Sequence, residues 1–126
     1  MQEEAKKMRV IVVDDHATFC TAVVTLLDGH SGIEVVGQAH NGTEALQLAQ
    51  VERPDLVLVD FNMPGMDGSI VARQLKAQSP APKVVIMSFN SGPEYRELAL
   101  LAGADAYLPK TDLHRELVPL LHRLRG

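Results

Sequence analysis

The strongest constraint in the chain is a series of short, nearly continuous apolar runs separated by segments of helical period. Residues 9–13 (Arg-Val-Ile-Val-Val) and 56–59 (Leu-Val-Leu-Val) show no apolar–polar alternation. A strand with one wet face alternates. An unbroken run belongs to a strand covered on both faces, as in a parallel sheet. Residues 33–39, 84–87 and 106–108 read as three further strands, with Gly37 weakening the first of them.

Between these runs the period changes. Phe19, Ala22, Val23, Leu26 and Leu27 recur at helical spacing, and Gly29 and Gly32 then break the chain. Asn41 is placed to cap a helix carrying Ala45, Leu46, Leu48 and Ala49, with Glu44 reaching back; Pro54 helps end that connection. A loop over 61–68, containing Pro64, Gly65 and Gly68, leads to a helix over 70–76, with Asp67 as its cap. Ser91-Gly92-Pro93-Glu94 repeats the capping pattern for a helix running to about Ala102, which Gly103 stops. A last helix ends near Arg125. Pro119 lies inside it, so that helix is expected to start late or to kink.

Five strands alternating with five helices predict a doubly wound α/β fold: a parallel sheet with helices on both faces and right-handed crossovers. The 126 residues suit one domain and are too few for an eight-stranded barrel, which leaves the sheet order 2-1-3-4-5. The expected organisation is a charged, frayed tail over 1–7 and one folded unit over 8–126.

Composition removes several classes. The single cysteine, Cys20, cannot form an internal disulfide, which fits a reducing cytoplasm; it is expected to be packed and inert. No run approaches a membrane span, and the N-terminus has no apolar signal region. A net charge of −4, no Lys/Arg run and no Trp argue against nucleic-acid binding by this chain.

Ligands on such sheets sit beyond the carboxyl ends of the strands, at the switch point between strands one and three. Asp14 and Asp15 follow strand one, Asp60 strand three, Ser88 strand four, and Lys110 lies near the end of strand five. These residues are expected to converge. Three carboxylates in one pocket repel: two unit charges ~4 Å apart interact by roughly 4 kcal/mol at an effective dielectric of 20. A hard cation such as Mg²⁺ relieves this, and it completes its shell with water and phosphate oxygens. Lys110 and Ser88 add a positive charge and a hydroxyl, and one of the Asp residues could carry a phosphoryl group.

Four pieces, Val12-Val13-Asp14-Asp15, Asp60-Phe61-Asn62-Met63-Pro64-Gly65-Met66-Asp67-Gly68, Ser88, and Gly103-Ala104-Asp105-Ala106-Tyr107-Leu108-Pro109-Lys110, occur in order at these strand ends. Over about residues 8–125 the chain resembles the CheY-like receiver domain of bacterial two-component response regulators, a flavodoxin-like fold. The resemblance implies Asp60 as phosphoacceptor. It implies Mg²⁺ held by Asp15, Asp60 and the main-chain carbonyl of Asn62, with Asp14 acting partly through water. It implies Lys110 on a phosphoryl oxygen, Ser88 turning inward, and Tyr107 rotating from outward to inward. The fourth helix, fifth strand and fifth helix would change surface. The implied donor is a phosphohistidine on a sensor histidine kinase or phosphotransfer protein, and the implied location is the cytoplasm.

Asp14-Asp15-His16 and Gly32-Ile33-Glu34-Val35-Val36-Gly37 resemble receivers that precede a LuxR-type helix-turn-helix effector. No such effector lies before Gly126, so the chain is expected to be a stand-alone receiver or part of a longer transcription regulator. It is not expected to be an enzyme beyond assisting its own phosphorylation and dephosphorylation. The alternative is a degenerate receiver serving as a phosphorylation-independent interaction module. A flavin carrier on the same fold would want a Ser/Thr/Gly-rich phosphate loop after strand one, which Asp14-Asp15-His16 opposes in charge.

Departures from the family pattern are few. Phe89 replaces a usually small residue after Ser88, and its ring is expected to slow entry of small phosphodonors or water. Thr111 follows Lys110 where the family often has proline, so a cis bond is not assumed there. Asn62 and Asn90 occupy positions that tune phosphoryl lifetime in the family. His16, His30, His40, His114 and His122 show no ligand spacing, although His16 is placed to tune the acidic pair. Met63 and Met66 read as loop packing. Homodimerisation would use Leu98, Leu101, Val118 and Leu121.

Overall fold

The computed structural model describes residues 6–90 and 92–125. Ser91 of the fourth helix's capping segment and residues 1–5 of the tail lie outside the described residues. The strands are β1 (Met8–Val13), β2 (Ile33–Ala39), β3 (Leu56–Asp60), β4 (Lys83–Ser88) and β5 (Ala106–Pro109). The helices are α1 (Ala17–Asp28), α2 (Gly42–Glu52), α3 (Gly68–Lys76), α4 (Pro93–Leu101) and α5 (Leu113–Arg125), with a 3-10 turn over Lys110–Asp112. The sheet is parallel in the order β2-β1-β3-β4-β5, as expected.

The unbroken apolar runs have a direct cause. Ile11, Val13, Val57, Val59, Val84 and Ile86 pack on one face of the sheet with Val71 and Leu75 of α3 and Ala99 of α4. Their chain neighbours Val10, Val12, Leu56, Leu58, Val85 and Met87 pack on the other face with Cys20, Val23 and Leu27 of α1 and Leu117 and Leu121 of α5. Each such aliphatic side chain contributes roughly 1.5–3 kcal/mol of transfer free energy when fully buried. The β1–β2 register shifts between Val10 and Ile11, which pair with Val35 and Gly37. The skipped residue, Val36, is a bulge beside the glycine that weakens this edge strand.

Local chemistry sets the helix starts. Asn41 accepts a hydrogen bond from the Glu44 amide at 2.8 Å, and the Glu44 carboxylate accepts from the His40 amide at 3.1 Å. Asp67 accepts from the amides of Ser69 and Ile70, so α3 begins at Gly68, two residues before the expected 70. Gly68 is required there: a Cβ would stand 2.5 Å from the Asp60 carbonyl oxygen. Gly103 ends α4 with φ +91°, a conformation that side chains resist.

α5 corrects one expectation. It starts at Leu113, so Pro119 is well inside the helix and the late start does not occur. The Pro119 ring is exposed, as is Arg115, whose carbonyl loses the usual donor on the wet side of the helix. The Lys110–Thr111 peptide is trans; among the described residues the cis peptide is Ser79–Pro80. Leu121 corrects another: it is 1% exposed and belongs to the core, whereas Leu98 and Leu101 are exposed. Val118 is partly buried against the same core cluster as Leu121. No helix among the described residues is long and apolar enough to cross a membrane.

Candidate functional site

The strand order carries the carboxyl ends of β1, β3, β4 and β5 to one edge. Asp14 follows the last residue of β1, Asp60 and Ser88 end β3 and β4, and Lys110 follows β5. All four are buried. The Lys110 ammonium donates to Asp14 Oδ2 at 2.6 Å and sits 3.2 Å from Asp60 Oδ1. A flexible lysine is thus fixed between two carboxylates that would otherwise repel each other in a poorly solvated pocket.

Asp14 and Asp15 do not cap α1 with their side chains. The cap residue is His16, which makes no side-chain cap bond, and Asp14 Oδ1 accepts from the His16 amide at 2.8 Å. Asp15 Oδ1 is buried without a hydrogen-bond partner. The His16 ring nitrogen lies 3.3 Å from Asp14 Oδ1 and 3.1 Å from Asp15 Oδ1. Donor atoms from Asp14, Asp15, His16 and Asp60 all fall within 4.8 Å of one another. One ammonium against three carboxylates leaves the cluster net negative, and Asp15 Oδ1 accepts no hydrogen bond, its near neighbour being the His16 ring nitrogen. This donor set fits a hard divalent cation.

The Asp60 carboxyl has its pKa pushed above the ordinary carboxylate value. Burial is the first cause and the charge of Asp14 the second; Lys110 opposes both. The Asn62 amide also favours the charged form, donating to Asp60 Oδ1 at 3.3 Å.

No hydrogen bond joins Ser88 to Tyr107 among the described residues, but Asn90 connects them. Ser88 Oγ accepts from the Asn62 side-chain amide at 3.1 Å and from the Asn90 amide at 3.0 Å. The Tyr107 hydroxyl donates to the Asn90 carbonyl oxygen. Tyr107 is buried, its ring packed with the core, and the Arg96 guanidinium lies 5.5 Å from the ring centroid. It therefore occupies the inward position.

Two neighbours of the cluster escaped sequence reasoning. Phe19, in the first turn of α1, places its ring centroid 4.0 Å from Lys110 Nζ. His40 follows β2, and its Nδ1 lies 3.1 Å from the Asp14 carbonyl oxygen; a carbonyl only accepts, so Nδ1 carries the proton. The strand-end rule finds His40 once β2 is included, because β2 pairs with β1.

Cys20 is buried in the core cluster on the α1 side of the sheet, within reach of the charge of Asp14. Burial and the charge of Asp14 push its thiol up to about 11. At pH 8 about one thiol in a thousand is ionised, so alkylation of the folded protein should be slow. A time course with iodoacetamide should show little reaction until denaturant is added; rapid labelling of native protein would contradict the packing.

A family profile described as "Response regulator receiver domain" matches residues 10–122, nearly the whole chain. The chain belongs to the response regulator receiver family. Its relatives agree. The receiver is 37% identical over 114 residues to the nitrate/nitrite response regulator protein NarL of Escherichia coli, covering 90% of this chain and 53% of NarL. It is 40% identical over 105 residues to a protein-glutamate methylesterase/protein-glutamine glutaminase of Alkalilimnicola ehrlichii, covering 82% of this chain and 27% of that protein. The chain thus spans about half of one relative and about a quarter of the other. Among solved structures, the signal receiver domain of the putative response regulator NarL from Mycobacterium tuberculosis superposes with a TM-score of 0.89 at 36% identity, covering 97% of this chain and 99% of that one.

Proposed function

We propose that Asp60 of this receiver accepts a phosphoryl group from a phosphohistidine on a sensor histidine kinase or phosphotransfer protein. The observation that carries this reading is the buried Asp14–Lys110–Asp60 arrangement, with Lys110 Nζ 2.6 Å and 3.2 Å from the two carboxylates. An Asp60 carboxylate oxygen attacks phosphorus, the phosphorus–nitrogen bond of the donor breaks, and the imidazole leaves with that electron pair. Lys110 exchanges its contact with Asp60 for one to a phosphoryl oxygen. The Ser88 hydroxyl, which only accepts from Asn62 and Asn90 here, retains its proton to donate to the new group.

Asp14, Asp15, Asp60 and the main-chain carbonyl of Asn62 would hold Mg²⁺. When bound, the ion neutralises charge that develops on the transferred group. The switch follows from the hydrogen-bond chain. Ser88 and Tyr107 share Asn90, so a phosphoryl group that draws in Ser88 acts on the residue whose carbonyl holds the Tyr107 hydroxyl inward. Phosphorylation therefore biases a pre-existing equilibrium of the α4–β5–α5 surface, which carries exposed Leu98 and Leu101 for a homodimer.

By analogy with the NarL relatives, residues 8–126 act as the receiver unit of a cytoplasmic transcription regulator whose DNA-binding effector lies elsewhere in the full protein. The chain itself binds no nucleic acid or membrane. The methylesterase similarity covers 27% of that protein, so its activity is not carried over, and catalysis is confined to the chain's own phosphorylation state. Prolonged incubation with Mg²⁺ and acetyl phosphate should add the mass of one phosphoryl group, and Asp60→Asn should abolish it. If the wild type neither gains mass nor binds beryllofluoride, the chain is a phosphorylation-independent interaction module.

A further inference from the structure

The edge of the sheet opposite the acidic cluster carries a cavity of about 860 Å³. It lies at the amino ends of the strands. Met8 opens β1, Asp55 precedes β3, Lys83 opens β4, and all three line it. Its volume is that of an ordinary small-molecule site. Nothing in the acceptor chemistry uses this edge.

The charge here is opposite to that of the chain. The protein carries −4 overall, yet Lys6, Lys7, Arg53, Lys83 and Arg125 line the cavity against one carboxylate, Asp55. The cations come from separate stretches of sequence, so no Lys/Arg run announces them. Asp55 Oδ2 already accepts from the Arg9 amide at 2.8 Å, and the neighbouring Glu52 pairs with Arg9 at 2.9 Å. Among the described residues, no carboxylate pairs with any of the five cations.

A simpler account is that these cations offset helix dipoles, since α2, α3 and α5 all end at this edge. Each helix end is worth about half a negative charge. Three ends and Asp55 together cancel about half of the positive charge, and the rest is unmatched. Arg53 is a second, independent sign. It caps α2 with φ +49°, a left-handed conformation in which glycine is the usual residue. Arginine is strained there and glycine is not, so the turn alone does not explain an arginine.

Pro54, Pro80, Pro82 and Leu124 supply apolar surface between the charges. Exposed cations around an apolar lining suit a ligand that has both characters. We propose that this cavity binds a small polyanion, with two or more phosphate or carboxylate groups on a compact apolar body. Arg53 and Lys83 hold the anionic groups. Arg125 donates to the carbonyls of Gly32 and Lys6, so it ties the end of α5 to the chain entering β1 and frames the cavity. The inference stands apart from the phosphoacceptor reading of Asp60, and either can fail without the other.

The test titrates the full chain with ATP, tripolyphosphate and hexaglutamate at low salt without Mg²⁺, followed by ¹H–¹⁵N NMR. ATP should move the amides of Arg53, Asp55, Ala81 and Lys83 and leave those of Asp15, Asn62 and Ser88 in place. Arg53→Gln and Lys83→Gln should each weaken ATP binding by about twofold to fivefold. Arg53→Gly should weaken it equally and yet melt no lower than the wild type, because glycine relieves the turn. Tripolyphosphate should bind less tightly than ATP, since it has no apolar body; equal affinities overturn that part of the proposal. Unmoved amides at this edge overturn the site, and so do shifts that persist unchanged when Arg53→Gln and Lys83→Gln are combined. Binding of hexaglutamate but of neither phosphate compound overturns it in favour of an acidic peptide.

Discussion

Asp60→Asn should make the protein more stable while abolishing its phosphorylation. Asp60 is buried beside Asp14, and the two share one ammonium. Burial and Asp14 hold its folded-state pKa above the ordinary value. A raised pKa means that the folded state binds the proton more tightly than the unfolded chain does. Ionised Asp60 therefore destabilises the fold. That penalty is fully present above the folded pKa and vanishes below the unfolded one. Asparagine keeps the shape and removes the charge. At pH 7, without metal, Asp60→Asn should therefore melt at a higher temperature than the wild type. The gap between variant and wild type should close as pH falls below about 4, where Asp60 protonates in both states. Mg²⁺ should narrow the gap at pH 7, because it relieves the same repulsion in the wild type. Thermal melts at both pH values, with and without Mg²⁺, decide this; a destabilised Asp60→Asn at pH 7 would falsify it.

The same physics explains what could be read from sequence. Strands were legible because burial on both faces writes itself as an unbroken run, as in Leu56–Asp60. Two helix starts were legible because Asn41 and Asp67 accept from free amides within their own turns. The cluster was legible because strand order is set by topology, and Asp14, Asp60 and Lys110 mark strand ends. What was not legible depends on tertiary neighbours. Phe19 has helical spacing and reads as core, and only the closed fold brings its ring to an ammonium 91 positions later in the chain. Leu121 is a dimer-surface candidate by sequence, but the orientation of α5 turns it into the core. Pro119 reads as a helix breaker, but its exposed position leaves the orphaned carbonyl on the wet side.

Lys110→Ala should show the largest loss of stability. The Lys110 ammonium is the one cation paired with Asp14 and Asp60 among the described residues. Removing it strands two buried carboxylates about which water cannot reorganise, and breaking a buried pair this way costs roughly 3–5 kcal/mol. Part of that loss is packing, since the stem also leaves the Phe19 ring. Lys110→Met separates the two: it keeps an apolar stem and loses the charge. Urea denaturation without metal should place Lys110→Met below wild type by most of the Lys110→Ala deficit. Two additions should then rescue it. Mg²⁺ supplies positive charge to the same oxygens and should recover part of the loss. Asp60→Asn removes one stranded carboxylate, so Lys110→Met should cost less in that background. The double-mutant coupling should be about 1–2 kcal/mol. Wild-type stability in Lys110→Met would mean that Asp14 and Asp60 find other relief. Additive effects of Lys110→Met and Asp60→Asn would mean that Lys110 and Asp60 do not act on each other. Both results run against a lysine held 3.2 Å from the carboxylate it must release when a phosphoryl group arrives.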